Sequence, residues 1–143
     1  MTRDEAYREL RSYRAEIARC ESYNRHIREL RGRMYSLRVG GQNERVQGNG
    51  VSETVEKLID EIDNYAERYA AVILGSEKKR EDIERKLGRL AFPSAEVLRR
   101  KYIDAESYEK IAVEMSRRYK RCYSYENVRL LAFRAVGEYA KIE

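Results

Sequence analysis

From Thr2 to about Arg38 the apolar residues Ala6, Leu10, Tyr13, Ile17, Cys20, Ile27, Leu30, Met34 and Leu37 fall mostly three or four apart. That is the repeat of one helix face, and it predicts a single long helix. Asn24 interrupts the stripe between Tyr23 and Ile27, a placement that sets register or orientation more often than it binds a ligand. A second stripe, Val55, Leu58, Ile59, Ile62, Tyr65, Ala66, Tyr69, Val72 and Ile73, continues through Ile83, Leu87 and Leu90. Ser52 is placed to cap this second helix, with Glu53 and Glu56 at the positive end of its dipole. Gly75-Ser76 is the one place where a bend or break is considered, since a glycine costs about 1 kcal/mol relative to alanine inside a helix.

Between the two stripes, the run Val39-Gly40-Gly41-Gln42-Asn43-Glu44-Arg45-Val46-Gln47-Gly48-Asn49-Gly50 holds four of the eight glycines and has no period. It reads as a Gly-rich loop over 39–51. Two long helices with matching stripes on either side of a loop bury both by folding back as an antiparallel, coiled-coil-like hairpin over 1–91. Such a hairpin has a thin core, so a homodimer through it is expected.

Composition agrees with an all-α chain. Charged residues make up 38% and hydrophobic ones 42%, with one proline, no tryptophan and two phenylalanines, which suits long amphipathic helices and not a β-sandwich. The formal charge is +5, a field that favours polyanions. The basic surplus lies at the two ends: ten basic against six acidic residues over 1–38, and eleven against eight over 92–143. Cys20 and Cys122 stand far apart with no CxxC motif or histidine cluster, so neither a disulfide framework nor a metal site is expected. No apolar run approaches the ~18 residues that cross a bilayer. The expectation is a cytoplasmic protein that meets no membrane.

Phe92-Pro93-Ser94 closes the hairpin region, because proline ends one helix and suits the first turn of the next. Three shorter amphipathic segments follow, at about 94–103, 107–116 and 124–141. Ser107 caps the second of them and Ser124 the third, and Ala112 is the small residue that lets two helices approach. This is the pattern of a small helix-turn-helix domain over 92–143, in which the later helix enters the major groove of DNA. With Val128, Leu131, Ala132 and Ala135 turned inward, Tyr125, Glu126, Asn127, Arg129, Leu130 and Phe133 are left outside to read bases. Asn suits adenine, Arg suits guanine or phosphate, Glu suits cytosine, and apolar groups suit the thymine methyl. Arg117, Arg118, Lys120, Arg121, Ser124 and Arg134 are the expected phosphate contacts. Arg99-Arg100-Lys101 is read as a solvent-exposed face. The arginines of the first helix are read as partners of Asp4, Glu5, Glu9, Glu16, Glu21 and Glu29.

The stretch Arg99-Arg100-Lys101-Tyr102-Ile103-Asp104 followed by Ser107-Tyr108-Glu109-Lys110-Ile111-Ala112 resembles the opening of sigma-factor region-four-like domains in small phage regulators. The later pattern Ser124-x-x-x-Val128-Arg129-x-Leu131-x-x-Arg134-Ala135 resembles their second helix. The chain as a whole is similar to the phage and prophage family of ArpU/RinA-like transcriptional regulators. That resemblance implies a small DNA-binding regulator in a bacterial host, with Tyr125, Glu126 and Leu130 at base-reading positions and Arg129 supporting the backbone. It departs from the pattern between Met115 and Ser124, where eight residues, Ser116 to Tyr123, stand in place of a shorter turn. They are read as an extended turn or an extra helical turn that grips phosphates.

Enzymatic chemistry is not expected. His26 is the only histidine and has no nucleophile or carboxylate cluster beside it, and the Gly-rich run lacks the Lys-Ser/Thr of a phosphate-binding loop. No cofactor is implied. The expected partner is double-stranded DNA, with RNA polymerase as a further candidate. The competing readings are a phage DNA-packaging adaptor resembling small terminase subunits, and a coiled coil that binds only proteins. Ring assembly distinguishes the first, and absent or salt-insensitive DNA binding the second.

Overall fold

The computed structural model describes the backbone of residues 1–40 and 49–143, and the side chains of 1–38 and 54–143. The regular structure of the described residues is all helical, with no strand among them. α1 spans Arg3–Gly40, α2 Asn49–Leu87, α3 Ser94–Leu98, α4 Tyr108–Tyr119 and α5 Tyr125–Ala140. Helical backbone thus overruns the loop expected over 39–51 at both ends, since a glycine or asparagine marks a helix end only to within a residue or two. The rest of that loop, 41–48, lies outside the described residues, as does the side chain of Ser52. α2 is continuous through Gly75 and Ser76.

α1 opens on a reciprocal cap. The Glu5 amide donates to the Thr2 hydroxyl at 3.2 Å and the Thr2 amide to the Glu5 carboxylate at 2.8 Å, which satisfies two donors that the first turn leaves free.

The chain divides into two compact units, one of residues 1–15 and 76–143, the other of residues 16–75. In the second unit α1 and α2 run antiparallel. Tyr65 meets Tyr23, with ring centroids 6.0 Å apart, and stacks on His26 at 5.2 Å, while Gly75 lies beside Glu16. Cys20, Ile27, Leu30 and Leu58 are buried there, but Val55, Ile62, Tyr65, Tyr69, Val72 and Ile73 are only half-buried.

The first unit does not begin at residue 91. The opening turns of α1 and the closing turns of α2 bury their apolar faces together with the C-terminal helices, leaving Ala6, Leu10, Ile83 and Leu87 almost without exposure. Each of the larger side chains, Leu10, Ile83 and Leu87, contributes about 1.5–3 kcal/mol relative to leaving it in water. Polar ties take the same route. Arg14 donates to the Ile103 carbonyl at 3.2 Å, and Lys86 donates to both oxygens of Glu9 at 2.9 and 3.1 Å. The Lys86 ammonium also lies 5.1 Å from the centre of the buried Tyr139 ring.

Phe92 joins Pro93 through a cis peptide bond, and α3 starts at the next residue. The helix expected over 94–103 changes character half-way, because Arg99–Ile103 forms a π turn. Its wider spacing lets the Asp104 amide reach the Arg99 carbonyl at 3.0 Å, with Tyr102 and Ile103 buried. Periodicity read at 3.6 residues per turn does not distinguish such a turn from the α-helix around it.

Candidate nucleic-acid interface

α4 and α5 pack with α3 around Val97, Ile111, Ala112, Met115, Val128 and Ala132, a cluster flanked by Tyr108, Tyr119, Tyr123 and Leu131. Ala112 and Ala132 supply the small side chains of this core. Both helices begin on a serine cap: the Ser107 hydroxyl accepts from the Lys110 amide at 3.2 Å, and the Ser124 hydroxyl from the Asn127 amide at 3.1 Å. Each satisfies a first-turn donor that would otherwise face water or nothing.

Half of the long connection expected after Met115 is helix. Ser116 to Tyr119 extend α4 by a turn, and only residues 120–124 join it to α5. Arginine is a good helix former, so the cationic run Arg117-Arg118 continues the helix instead of ending it. Lys120 then turns the chain in the left-handed region, at φ 52° and ψ 36°. The Ser116 side chain pins the connection beyond that turn: its hydroxyl accepts from the Tyr123 amide at 2.9 Å and donates to the Tyr123 carbonyl at 3.1 Å. Tyr119 anchors the end of α4 by donating to the Glu96 carboxylate of α3, and its ring meets the edge of Phe92 at 4.7 Å. That hydrogen bond raises the pKa of the Tyr119 phenol.

On α5, Val128, Ala132, Ala135, Val136 and Tyr139 are buried. At 100° per residue the opposite face presents Glu126, Leu130 and Phe133, with Asn127 and Arg134 along one side and Arg129 along the other. All six are exposed, as is Tyr125 at the first turn. Five of the six residues expected to read bases, Glu126, Asn127, Arg129, Leu130 and Phe133, therefore share the outer side of one helix, whereas Tyr125 lies on the core-facing azimuth and is exposed because it stands at the helix start. They are not all unengaged. Arg129 pairs with Glu126 at 3.0 Å, a hydrogen bond that raises the Arg129 pKa. Tyr125 meets Tyr108 edge-on at 5.9 Å, and one face of Phe133 is covered by the Arg3 guanidinium.

The residues expected to hold phosphates flank this helix. Arg117 and Arg118 lie in the last turn of α4, where Arg117 pairs with Glu114 at 2.9 Å and Arg118 lies 5.6 Å from the Tyr119 ring centre. Lys120 and Arg121 stand on the connection and Arg134 on α5, all exposed. Ser124 is taken up as the cap, though its own hydroxyl hydrogen stays available to an acceptor. Arg121, Cys122 and Tyr123 form one wall of an open cleft of about 530 Å³, and Asn127, Leu130, Leu131 and Arg134 the other. Two arginines and an amide thus share this cleft with the apolar Leu130 and Leu131.

Ser116 was not singled out from the sequence, where it is one more polar residue ahead of a basic run. The neighbouring cations Arg99 and Arg100, in contrast, are bound by carboxylates: Arg99 by Glu84 at 2.9 Å, and Arg100 by Glu96 at 3.0 Å and Glu106 at 3.2 Å. No cluster of metal-ligating side chains occurs among the described residues. Compared with known families, with curated proteins and with solved structures, the chain matches none of them.

Proposed function

We propose that this chain is a sequence-specific DNA-binding transcriptional regulator of phage or prophage type, in which α4 and α5 act as a helix-turn-helix and α5 enters the major groove. The observation that carries the reading is the outer side of α5. Hydrogen-bonding side chains of three kinds, Glu126, Asn127 and Arg129, stand exposed beside Leu130 on a helix whose opposite face is locked into the core. Base edges are distinguished by that mixture of donor, acceptor and apolar contact.

The flanking cations support it. Lys120, Arg121 and Arg134 have no carboxylate partner among the described residues, and phosphate contacts from such positions set the register of a recognition helix without reading sequence. The likeness of residues 99–135 to sigma region-four-like domains, and of the chain to ArpU/RinA-like regulators, adds the expectation of a phage setting and of RNA polymerase as a partner. The half-buried apolar residues of the second unit suit a homodimer formed through its paired helices.

The test is the binding of the purified protein to DNA fragments flanking its own gene, by mobility shift at two salt concentrations, with the mass in solution measured alongside. Tight, salt-dependent binding to one fragment by a monomer or dimer is expected. Weak, uniform binding by a large ring would replace the regulator with a packaging adaptor, and no binding at low salt would leave a protein-interaction role.

A further inference from the structure

A second cationic feature lies in the first unit, away from the outer face of α5. Tyr7, Arg11 and Arg14 of α1 form one wall of an open cleft of about 540 Å³, and Lys101, Tyr102, Ala105, Glu106 and Tyr108 close it from the π turn and the start of α4. The three cations come from segments almost ninety residues apart in the chain, so the grouping exists only in the folded unit.

Its chemistry differs from that of the surface around it. Arg99 and Arg100, one and two residues before Lys101, are held in ion pairs. Arg11, Arg14 and Lys101 have no carboxylate partner among the described residues. Arg14 is aimed by its bond to the Ile103 carbonyl, the Lys101 ammonium lies 4.2 Å from the centre of the Tyr108 ring, and the Arg11 guanidinium lies 5.1 Å from that of Tyr7. Glu106, the one carboxylate in the lining, is bound to Arg100, which neutralises it locally. The cleft therefore carries an unbalanced positive charge, set among phenols that donate hydrogen bonds. Burial raises the pKa of Tyr108 and keeps that donor protonated.

The cleft also adjoins α5. Tyr108 lines it and touches Tyr125, the first residue of α5, edge to face. That contact sets the cleft beside the N-terminal end of α5, the end that carries Glu126 and Asn127.

We propose that this cleft binds the phosphodiester backbone of the same DNA duplex, so that the start of α1 is part of the interface. The proposal rests on the DNA-binding reading of α5 and enlarges its footprint. Arg11 and Lys101 supply the charge and the tyrosines hydrogen-bond phosphate or sugar oxygens, as positioning contacts do elsewhere.

The experiment compares the wild-type chain with the double variant Arg11→Gln, Lys101→Gln on a bound fragment, from 50 to 300 mM salt. Arg14 is left in place because it is tied to the backbone. Losing two phosphate contacts lowers the slope of log affinity against log salt by about 2 and weakens binding at 0.1 M salt roughly ten- to a hundredfold. The ranking of base-substituted fragments stays the same. An unchanged slope in the folded variant overturns the cleft and leaves the α5 reading intact, whereas a wild-type chain that binds no DNA overturns both. A changed ranking of fragments also overturns it, since phosphate contacts carry no sequence preference. If the double variant does not fold, Arg11→Glu, at an exposed position, takes its place, with a slope lowered by about 1 expected.

Discussion

The guanidinium of Arg3 lies 4.0 Å from the centre of the Phe133 ring, so the first turn of α1 covers part of the outer face of α5. Gly137, one turn further along α5, makes room for it: a Cβ there would sit 2.7 Å from an Arg3 Nη. A cation over an exposed ring contributes about 0.5–1 kcal/mol. Arg3→Ala and Phe133→Ala should each destabilise the protein by about that much, and the double variant by less than their sum, in urea unfolding. Gly137→Ala should displace Arg3 and abolish the coupling. The gain of about 1 kcal/mol from alanine's helix propensity should leave its own stability nearly unchanged.

Ser116 is the hinge pin between α4 and α5, with one hydroxyl serving both backbone groups of Tyr123. Ser116→Ala removes two hydrogen bonds and leaves a half-buried amide and carbonyl to find others, so a loss of about 1–3 kcal/mol is expected. Because the two helices then lose their fixed connection, DNA affinity should fall even at temperatures where the variant is fully folded. Chemical denaturation and mobility shift on the same sample separate the two effects.

Arg129 shares its charge with Glu126 on an exposed surface, where such a pair does little for the fold. Arg129→Ala should therefore keep its melting temperature and weaken binding to the preferred fragment about ten- to a hundredfold. Replacing Arg117, Arg118, Lys120 and Arg121 together should instead weaken all sequences alike and flatten the salt dependence. A loss confined to one sequence would show that these cations are not phosphate contacts.

Alkaline pH should unfold the first unit through its tyrosines. Burial raises the pKa of Tyr102, and burial together with the Glu9 carboxylate raises that of Tyr139, both far above the ordinary value of 10.0. The folded state holds these protons more tightly than the unfolded chain. Their contribution is thus complete below about pH 10 and lost as pH rises beyond it. The melting temperature should fall steeply above pH 10, and less steeply in Tyr139→Phe. The Tyr139 hydroxyl is buried with no hydrogen bond of full geometry among the described residues. Its removal should change stability at pH 7 by less than about 1 kcal/mol.

Much of the architecture was legible because helices announce themselves by period. In the first stripe, Ala6, Leu10, Tyr13, Cys20, Ile27 and Leu30 are all buried, and the caps Ser107 and Ser124 stand where a hydroxyl precedes an apolar repeat. The outward set on α5 came from the same arithmetic. What escaped the sequence depended on other signals. Over 116–123 the sequence left an extended turn and an extra helical turn both open, and the π turn at Arg99–Ile103 keeps an apolar spacing that an α-helix could share. The association of Arg11 with Lys101, and of Leu10 with the C-terminal core, is tertiary, and no local pattern within either segment carries it.

The first unit is discontinuous in the chain, since residues 1–15 belong with 76–143 and a whole second unit is threaded between them. During synthesis at roughly 5–20 residues per second, the apolar edge formed by Ala6, Leu10 and Tyr13 leaves the ribosome on the order of ten seconds before the helices that cover it. The hairpin stretch can pair first, but the unit carrying α5 closes only when its last helix arrives. A fragment started at residue 92 would keep every side chain assigned to the α5 surface and the cluster around Ile111 and Val128, and lack Ala6, Leu10, Ile83 and Leu87, which complete the core of the unit. Competence to bind would then be a property of the finished chain, with the oldest residues supplying the last contacts to form.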